Sequence, residues 1–183
     1  MLPQDISDVD HNTENRASTI SVFNGVAPEF IEAKSVDAEI ELVATKIAKL
    51  ISEKIRPEEI GVFVRTEGEL TRADAAVKRA GLESYTLTSN MNTQYGKASI
   101  GTMHLAKGLE FKAVFVMACD DEIVPNQARL EGAADESDLE EIYQTERHLL
   151  YVACTRARDF LMVSGASPVS EFLEDLKPRK TTN

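Results

Sequence analysis

Two short apolar runs limit what this chain can fold into. Ile60–Val64 reads IGVFV and Ala113–Ala118 reads AVFVMA, and each is apolar at odd and even positions alike. A strand with one face in water alternates apolar and polar residues. A strand apolar on both faces suits the interior of a parallel sheet with helices on each side. The segments between such runs carry the helical period. Val36, Ile40, Val43, Ile47, Leu50 and Ile51 recur at steps of three and four, which predicts an amphipathic helix over about residues 37–54, with Pro57 beyond its end. A second helix is predicted over Glu69–Ala80, stopped by Gly81, and a long one over Leu139–Arg158. Further strands are expected at Pro28–Ala33, Ser84–Thr88, Ala98–Met103 and Phe160–Ser164, and a closing helix at Val169–Leu176. Strands alternating with helices imply an α/β fold with a parallel sheet. Residues 1–19 read as a flexible tail or linker, 20–176 as the domain and 177–183 (KPRKTTN) as a disordered tail. Ser89–Lys97 is expected to be a polar loop, and the acidic, small-residue stretch Ala128–Asp138 to be mobile.

Charge and composition exclude several functions. Lys and Arg number 20 against 31 Asp and Glu, a net charge of −11, so binding nucleic acid through bulk positive charge is excluded, though a local site is not. No apolar run approaches the 18 residues of a membrane span, and the first residues have no basic, apolar signal pattern. Cys119 and Cys154, the two cysteines, are too few for a disulfide framework or a zinc site, and a reducing cytoplasmic setting fits them.

An α/β chain raises the question of a phosphate loop. The one Gly followed by Lys is Gly96; Met91 stands five residues before it where a Gly is needed, and Ala98 stands in place of Ser or Thr. No GxGxxG occurs either. The chain does not cradle nucleotide phosphates by itself. Three other segments concentrate chemistry. Ile100–Phe111 (IGTMHLAKGLEF) brings Thr102, His104, Lys107 and Glu110 to an expected strand end, with Gly108 permitting a tight turn. Thr145–Asp159 (TERHLLYVACTRARD) places Arg156 and Arg158 in the last turn of a helix, where cations also suit the dipole for purely structural reasons. Arg65 follows IGVFV directly, at the usual ligand edge of an open sheet, with Glu67 and Glu69 near enough to pair with it.

These segments resemble a known family. GTMHLAKGLEFKAVFV resembles motif V of the superfamily 1A DNA helicases of the UvrD/Rep/PcrA type, TERHLLYVACTRARDFLMVSG resembles motif VI, and IGVFVRT resembles the motif IV strand with its arginine. The three stand in the family's order over about residues 60–165. The resemblance implies a RecA-like domain 2A, the second of two motor domains that hold ATP between them. It implies that Arg156 and Arg65 approach the γ-phosphate as catalytic groups and that Glu110, with Gly108, lies at the nucleotide ribose. It further implies that Thr102, His104 and Lys107 touch single-stranded DNA or couple it to the nucleotide. Tyr151 and Thr155 match motif VI positions of less definite role. ATP with Mg2+ would be bound mainly by the N-terminal helicase motor domain, which is outside this sequence along with its motifs. The partners would be that domain and single-stranded or partly duplex DNA. The large insertion often found between motifs IV and V would be reduced to the loop at Ser89–Lys97. On this reading the isolated chain does not hydrolyse ATP.

Two other readings compete. One is a non-catalytic module that keeps the fold to bind protein or nucleic acid, favoured by the acidic excess and the lack of a phosphate loop. The other is an independent hydrolase using His104 or His148 with Cys154. It is weak, because His148 and Cys154, six residues apart on one helix, point to different faces.

Overall fold

The computed structural model describes residues 27–90 and 92–176, together with two short strands, β1 (Asp5–Ser7) and β2 (Thr13–Asn15), which pair antiparallel. That ribbon falls within the stretch expected to be a tail; the rest of residues 1–26 and the tail 177–183 lie outside the described residues. Six further strands follow: β3 (Glu29–Ala33), β4 (Ile60–Val64), β5 (Ser84–Thr86), β6 (Ala98–Thr102), β7 (Phe111–Val116) and β8 (Ala157–Ala166). They form one sheet in the order β3-β8-β7-β4-β6-β5, and every pairing is parallel. The helices are α1 (Val36–Ser52), α2 (Leu70–Arg79), α3 (Gln127–Glu131), α4 (Glu136–Cys154) and α5 (Glu171–Leu176).

Alternation along each strand sorts the apolar residues onto two faces. Val62, Val64, Phe115, Phe160 and Met162 join the core built with Ile40, Val43 and Ile47 of α1 and Ala73, Ala76 and Val77 of α2. Phe63, Val114, Val116, Leu161 and Val163 join the opposite core, with Leu150 and Ala153 of α4 and Phe172 and Leu173 of α5. The runs that are apolar at both parities are therefore strands covered twice, in a three-layer α/β/α sandwich. Each fully buried Phe or Val contributes about 1.5–3 kcal/mol through removal from water.

Helix boundaries follow their caps. The Ser35 side chain accepts the Ala38 amide at 3.2 Å and starts α1 at Val36, one residue before the expected position. Asp135 does the same for Asp138 at 3.0 Å, so α4 begins at Glu136 rather than Leu139. Of the acidic segment Ala128–Asp138, the first residues belong to α3 and the last to α4. α4 stops at Cys154, short of the expected Arg158, because the backbone of Arg156 is taken by the sheet: its carbonyl accepts from the Phe111 amide at 3.0 Å. β8 consequently starts at Ala157 and runs well past the expected Phe160–Ser164. Residue 165 must be Gly, since a Cβ there would lie 2.6 Å from the Cys119 carbonyl oxygen.

Candidate nucleotide and nucleic-acid site

Arg65 stands at the carboxyl end of β4, next to Val64, which pairs with Thr102 of β6. It is not a surface residue, and its partner is neither Glu67 nor Glu69. The side chain is buried, and its Nε and Nη2 both donate to the carboxylate of Glu146 on α4, at 2.5 Å each. Glu146, fully buried, also accepts from the Arg129 guanidinium at 2.8 Å and from the Asn126 amide at 3.2 Å. Burial alone would raise the Glu146 pKa; the hydrogen bonds and charge of Arg65, with help from Asn126 and Arg129, outweigh it and hold the group below the ordinary carboxylate range. One carboxylate therefore ties the β4 end, the start of α3 and the middle of α4 together.

Thr102 ends β6, half-buried, and a 3-10 turn over Met103–Ala106 carries His104 to the surface beside this cluster. The His104 pKa is pushed down, first by partial burial and then by the positive charges of Arg65 and Arg129, against an upward pull from Glu146. At neutral pH the imidazole is neutral and able both to donate and to accept hydrogen bonds. Lys107 follows the turn and is exposed.

The chain then crosses the sheet face beneath α4 and returns to the opposite edge. Gly108 takes φ +86, the left-handed turn that a Cβ would disfavour. Glu110 is exposed at the start of β7, and Phe111, the next residue, bonds to the carbonyl of Arg156. Glu110 and Arg156 are thus neighbours at the amino edge of the sheet. The Arg156 Nε donates to the Val152 carbonyl at 3.1 Å and its Nη2 to the Thr155 hydroxyl at 3.2 Å, so the guanidinium caps the end of α4 through two uncharged oxygens.

The structure divides the expected residues into two groups. Arg65, Thr102 and His104 lie at the carboxyl edge, with Gly108, Glu110 and Arg156 at the amino edge. The six steps from Phe111 to Met117, whose amide bonds to Phe63, span about 20 Å. In this chain each guanidinium is engaged locally, Arg65 by a buried carboxylate and Arg156 by its own helix.

A second buried network joins α1, α2 and the carboxyl ends of β7 and β8. Glu39 bonds to Arg72, accepts from the Ala118 amide at 3.0 Å and from the Ser164 hydroxyl at 2.6 Å. Arg72 forks onto Asp120 at 2.8 and 3.0 Å, and Asp120 accepts from the Ala166 amide at 2.6 Å. Burial raises the Glu39 pKa. Ala118 sits at φ +56, held there by its bond to Glu39. None of Glu146, Glu39 or Arg72 was singled out by motif. Their signal was nonetheless present: each stands on the apolar stripe of its helix, Glu146 with Leu150 and Ala153, Glu39 with Val43, and Arg72 with Ala76, where a charge needs a buried partner.

The hydrolase reading fails on the thiols. Burial pushes Cys119 far up and Cys154 to about 12, so neither supplies a thiolate at neutral pH. Among the described residues no group of three or more His, Cys, Asp or Glu side chains is placed to hold a metal ion, and no helix is long and apolar enough to cross a membrane.

Residues 77–168, half of the chain, match the model of the UvrD-like helicase C-terminal domain. The chain is similar to the ATP-dependent DNA helicase UvrD1 of Mycobacterium leprae, 34% identical over 120 residues, covering 57% of this chain and 14% of that protein. It is similar to the ATP-dependent DNA helicase PcrA of Staphylococcus epidermidis, 40% identical over 76 residues, covering 42% of this chain and 10% of that protein. The chain thus spans 10% to 14% of the length of these relatives. Among solved structures, the C-terminal domain of a possible DNA helicase from Lactobacillus plantarum WCFS1 shares the fold, with a TM-score of 0.61, 23% identity and coverage of 84% of this chain and 82% of that one.

Proposed function

Because the chain belongs to the UvrD-like helicase C-terminal domain family, we propose that it works as the second RecA-like motor domain of an ATP-dependent DNA helicase, with its two sheet edges serving two ligands. The observation that supports this reading is the placement of Glu110 and Arg156 at the same amino edge, where the Phe111 amide donates to the Arg156 carbonyl. An exposed carboxylate suits ribose hydroxyls, and an arginine whose bonds among the described residues go to neutral oxygens keeps its charge available for phosphate. ATP with Mg2+ would be held by a first motor domain, whose phosphate loop and carboxylates this sequence lacks. Domain closure would bring Arg156 to the γ-phosphate, where a guanidinium stabilises charge that grows during transfer. Thr102, His104 and Lys107 would meet the single strand at and below the carboxyl edge, so that closure and opening at one edge move DNA along the other. Arg65 would act on this reading as a buried strut of the DNA-facing edge, unless closure draws it away from Glu146.

The engagement of both arginines within the chain favours a second reading, a non-catalytic module that keeps the fold for binding. The Arg156→Ala variant of the complete helicase separates the two. A motor loses about 10³–10⁵ in DNA-stimulated ATP turnover with ATP binding little changed, and Arg156→Lys rescues poorly because an ammonium cannot fork onto two oxygens. Turnover near wild type with a lowered melting temperature would reduce Arg156 to a helix cap and sink the motor reading.

A further inference from the structure

We propose that Arg129 of α3 contacts the phosphate backbone of single-stranded DNA, extending the carboxyl-edge site beyond Thr102 and His104, and that Glu146 is the residue that positions it. This rests on the reading of that edge as the DNA-facing one. The Arg129 side chain is 41% exposed, yet its Nη1 is fastened at 2.8 Å to a carboxylate that is fully buried. A guanidinium carries five N–H donors, so one bond to Glu146 leaves most of them for a ligand. The backbone beneath it is also fixed, because the Asn126 side chain accepts the Arg129 amide at 3.2 Å and the Asn126 amide donates to Glu146. An arginine anchored at one end and exposed at the other loses less freedom on binding than an ordinary surface arginine.

Charge supports the same assignment. Arg65 and Arg129 together face the single carboxylate of Glu146, which leaves this spot positive in a chain whose net charge is −11. The positive field reaches the neighbouring motif residue, since Arg65 and Arg129 both act on the His104 imidazole. Glu131, Asp135 and Glu136 follow in the same segment. Attraction of a polyanion here therefore depends on a placed arginine rather than on diffuse charge.

The test uses the full 183-residue chain and a fluorescein-labelled oligodeoxythymidylate, with anisotropy read across a salt series starting at low ionic strength. Arg129→Ala is expected to weaken binding about tenfold and to reduce the slope of log K against log salt by about 0.7, one phosphate contact on a single strand. Arg129→Lys is expected to keep the slope. In parallel, the His104 pKa followed by NMR is expected to rise in Arg129→Ala, because a neighbouring positive charge is gone, which verifies an intact fold and the adjacency of the two residues. If the wild type binds and Arg129→Ala binds with the same affinity and slope, the proposal is overturned while the DNA-facing edge stands. A lysine variant as weak and as shallow in slope as the alanine one would show that a positive charge at position 129 does not reach the strand and would also overturn the proposal. If the wild type shows no salt-dependent binding at all, the proposal and the DNA reading of this edge fall together.

Discussion

Arg65 is forked onto Glu146 where water does not reach, and that decides what either side chain can do. Removing one member of a buried pair leaves the other charge without compensation, which costs about 3–5 kcal/mol. Arg65→Ala is therefore expected to lower the urea midpoint strongly, softened by the bonds that Arg129 and Asn126 still make to Glu146. Replacing both, as in Arg65→Met with Glu146→Leu, is expected to recover most of the loss, because an apolar pair of similar volume needs no desolvated charge. Equal loss in the single and double variants would show that packing of the β4 end, and not the charge pair, sets the stability there. Arg156 belongs to the opposite case. Its bonds to Val152 and Thr155 are those of a helix cap, worth under about 1 kcal/mol. A large effect of that residue on turnover would therefore have no structural explanation.

At the scale of elements, Gly165 shows how tightly β8 is held against the chain leaving β7. Gly165→Ala would drive a Cβ to 2.6 Å from a backbone oxygen of Cys119, with no flexible side chain to give way. The Cys119 amide is bonded to the Ser164 carbonyl and the Cys119 carbonyl to the Ser170 amide, so the segment cannot retreat freely. A loss of about 1–3 kcal/mol is expected in chemical denaturation; a variant as stable as wild type would show that residues 119–120 shift at little cost. The sequence carried the elements themselves well. Two-parity apolar runs became buried strands, and steps of three and four in Ile40, Val43, Ile47 and Leu50 became the buried face of α1. Boundaries were legible where a cap residue marked them in advance, and they shifted where sheet pairing overrode local helix signals, as at Arg156. The site was legible as a set of residue types but not as a place. Residues 100–111 are continuous in sequence, yet the chain crosses the sheet within them, so Thr102 and Glu110 finish at opposite edges. Nor does any motif spacing reveal that Arg65 meets a carboxylate 81 residues away; only the placement of Glu146 on an apolar stripe hinted at a buried partner.

Across the whole molecule, buried carboxylates of opposite tendency set the response to pH. Glu146 and Asp74 are held below the ordinary carboxylate range, and Glu59 lies at about 2 through its bonds to Arg56 and Lys112. For each of these the folded state binds its proton less readily than the unfolded chain. The stability they contribute is complete above the unfolded value, near 4.5 for the two Glu and 3.8 for Asp74, and is lost as pH falls toward the folded value. Glu59 is paired with the mostly exposed Arg56, so its share is screened and small, and Glu146, fully buried, carries the greater weight. Glu39 acts in the other direction. Burial raises its pKa, so the folded state takes up that proton first, and acidification toward 4.5 relieves the cost of an ionised group in the core. His104, with a lowered pKa, gives up a little stability as pH falls through about 6.5, where the unfolded imidazole protonates first. The urea midpoint is therefore expected to change little between about pH 7 and 5 and to drop steeply below about 4.5. Glu146→Gln should start lower at neutral pH, having lost the charge pair, and fall less steeply in acid, because its largest titrating contribution is gone. Glu39→Gln should keep the full acid slope. An acid limb equally steep in Glu146→Gln and wild type would place the acid sensitivity of the fold outside the Arg65–Glu146–Arg129 cluster.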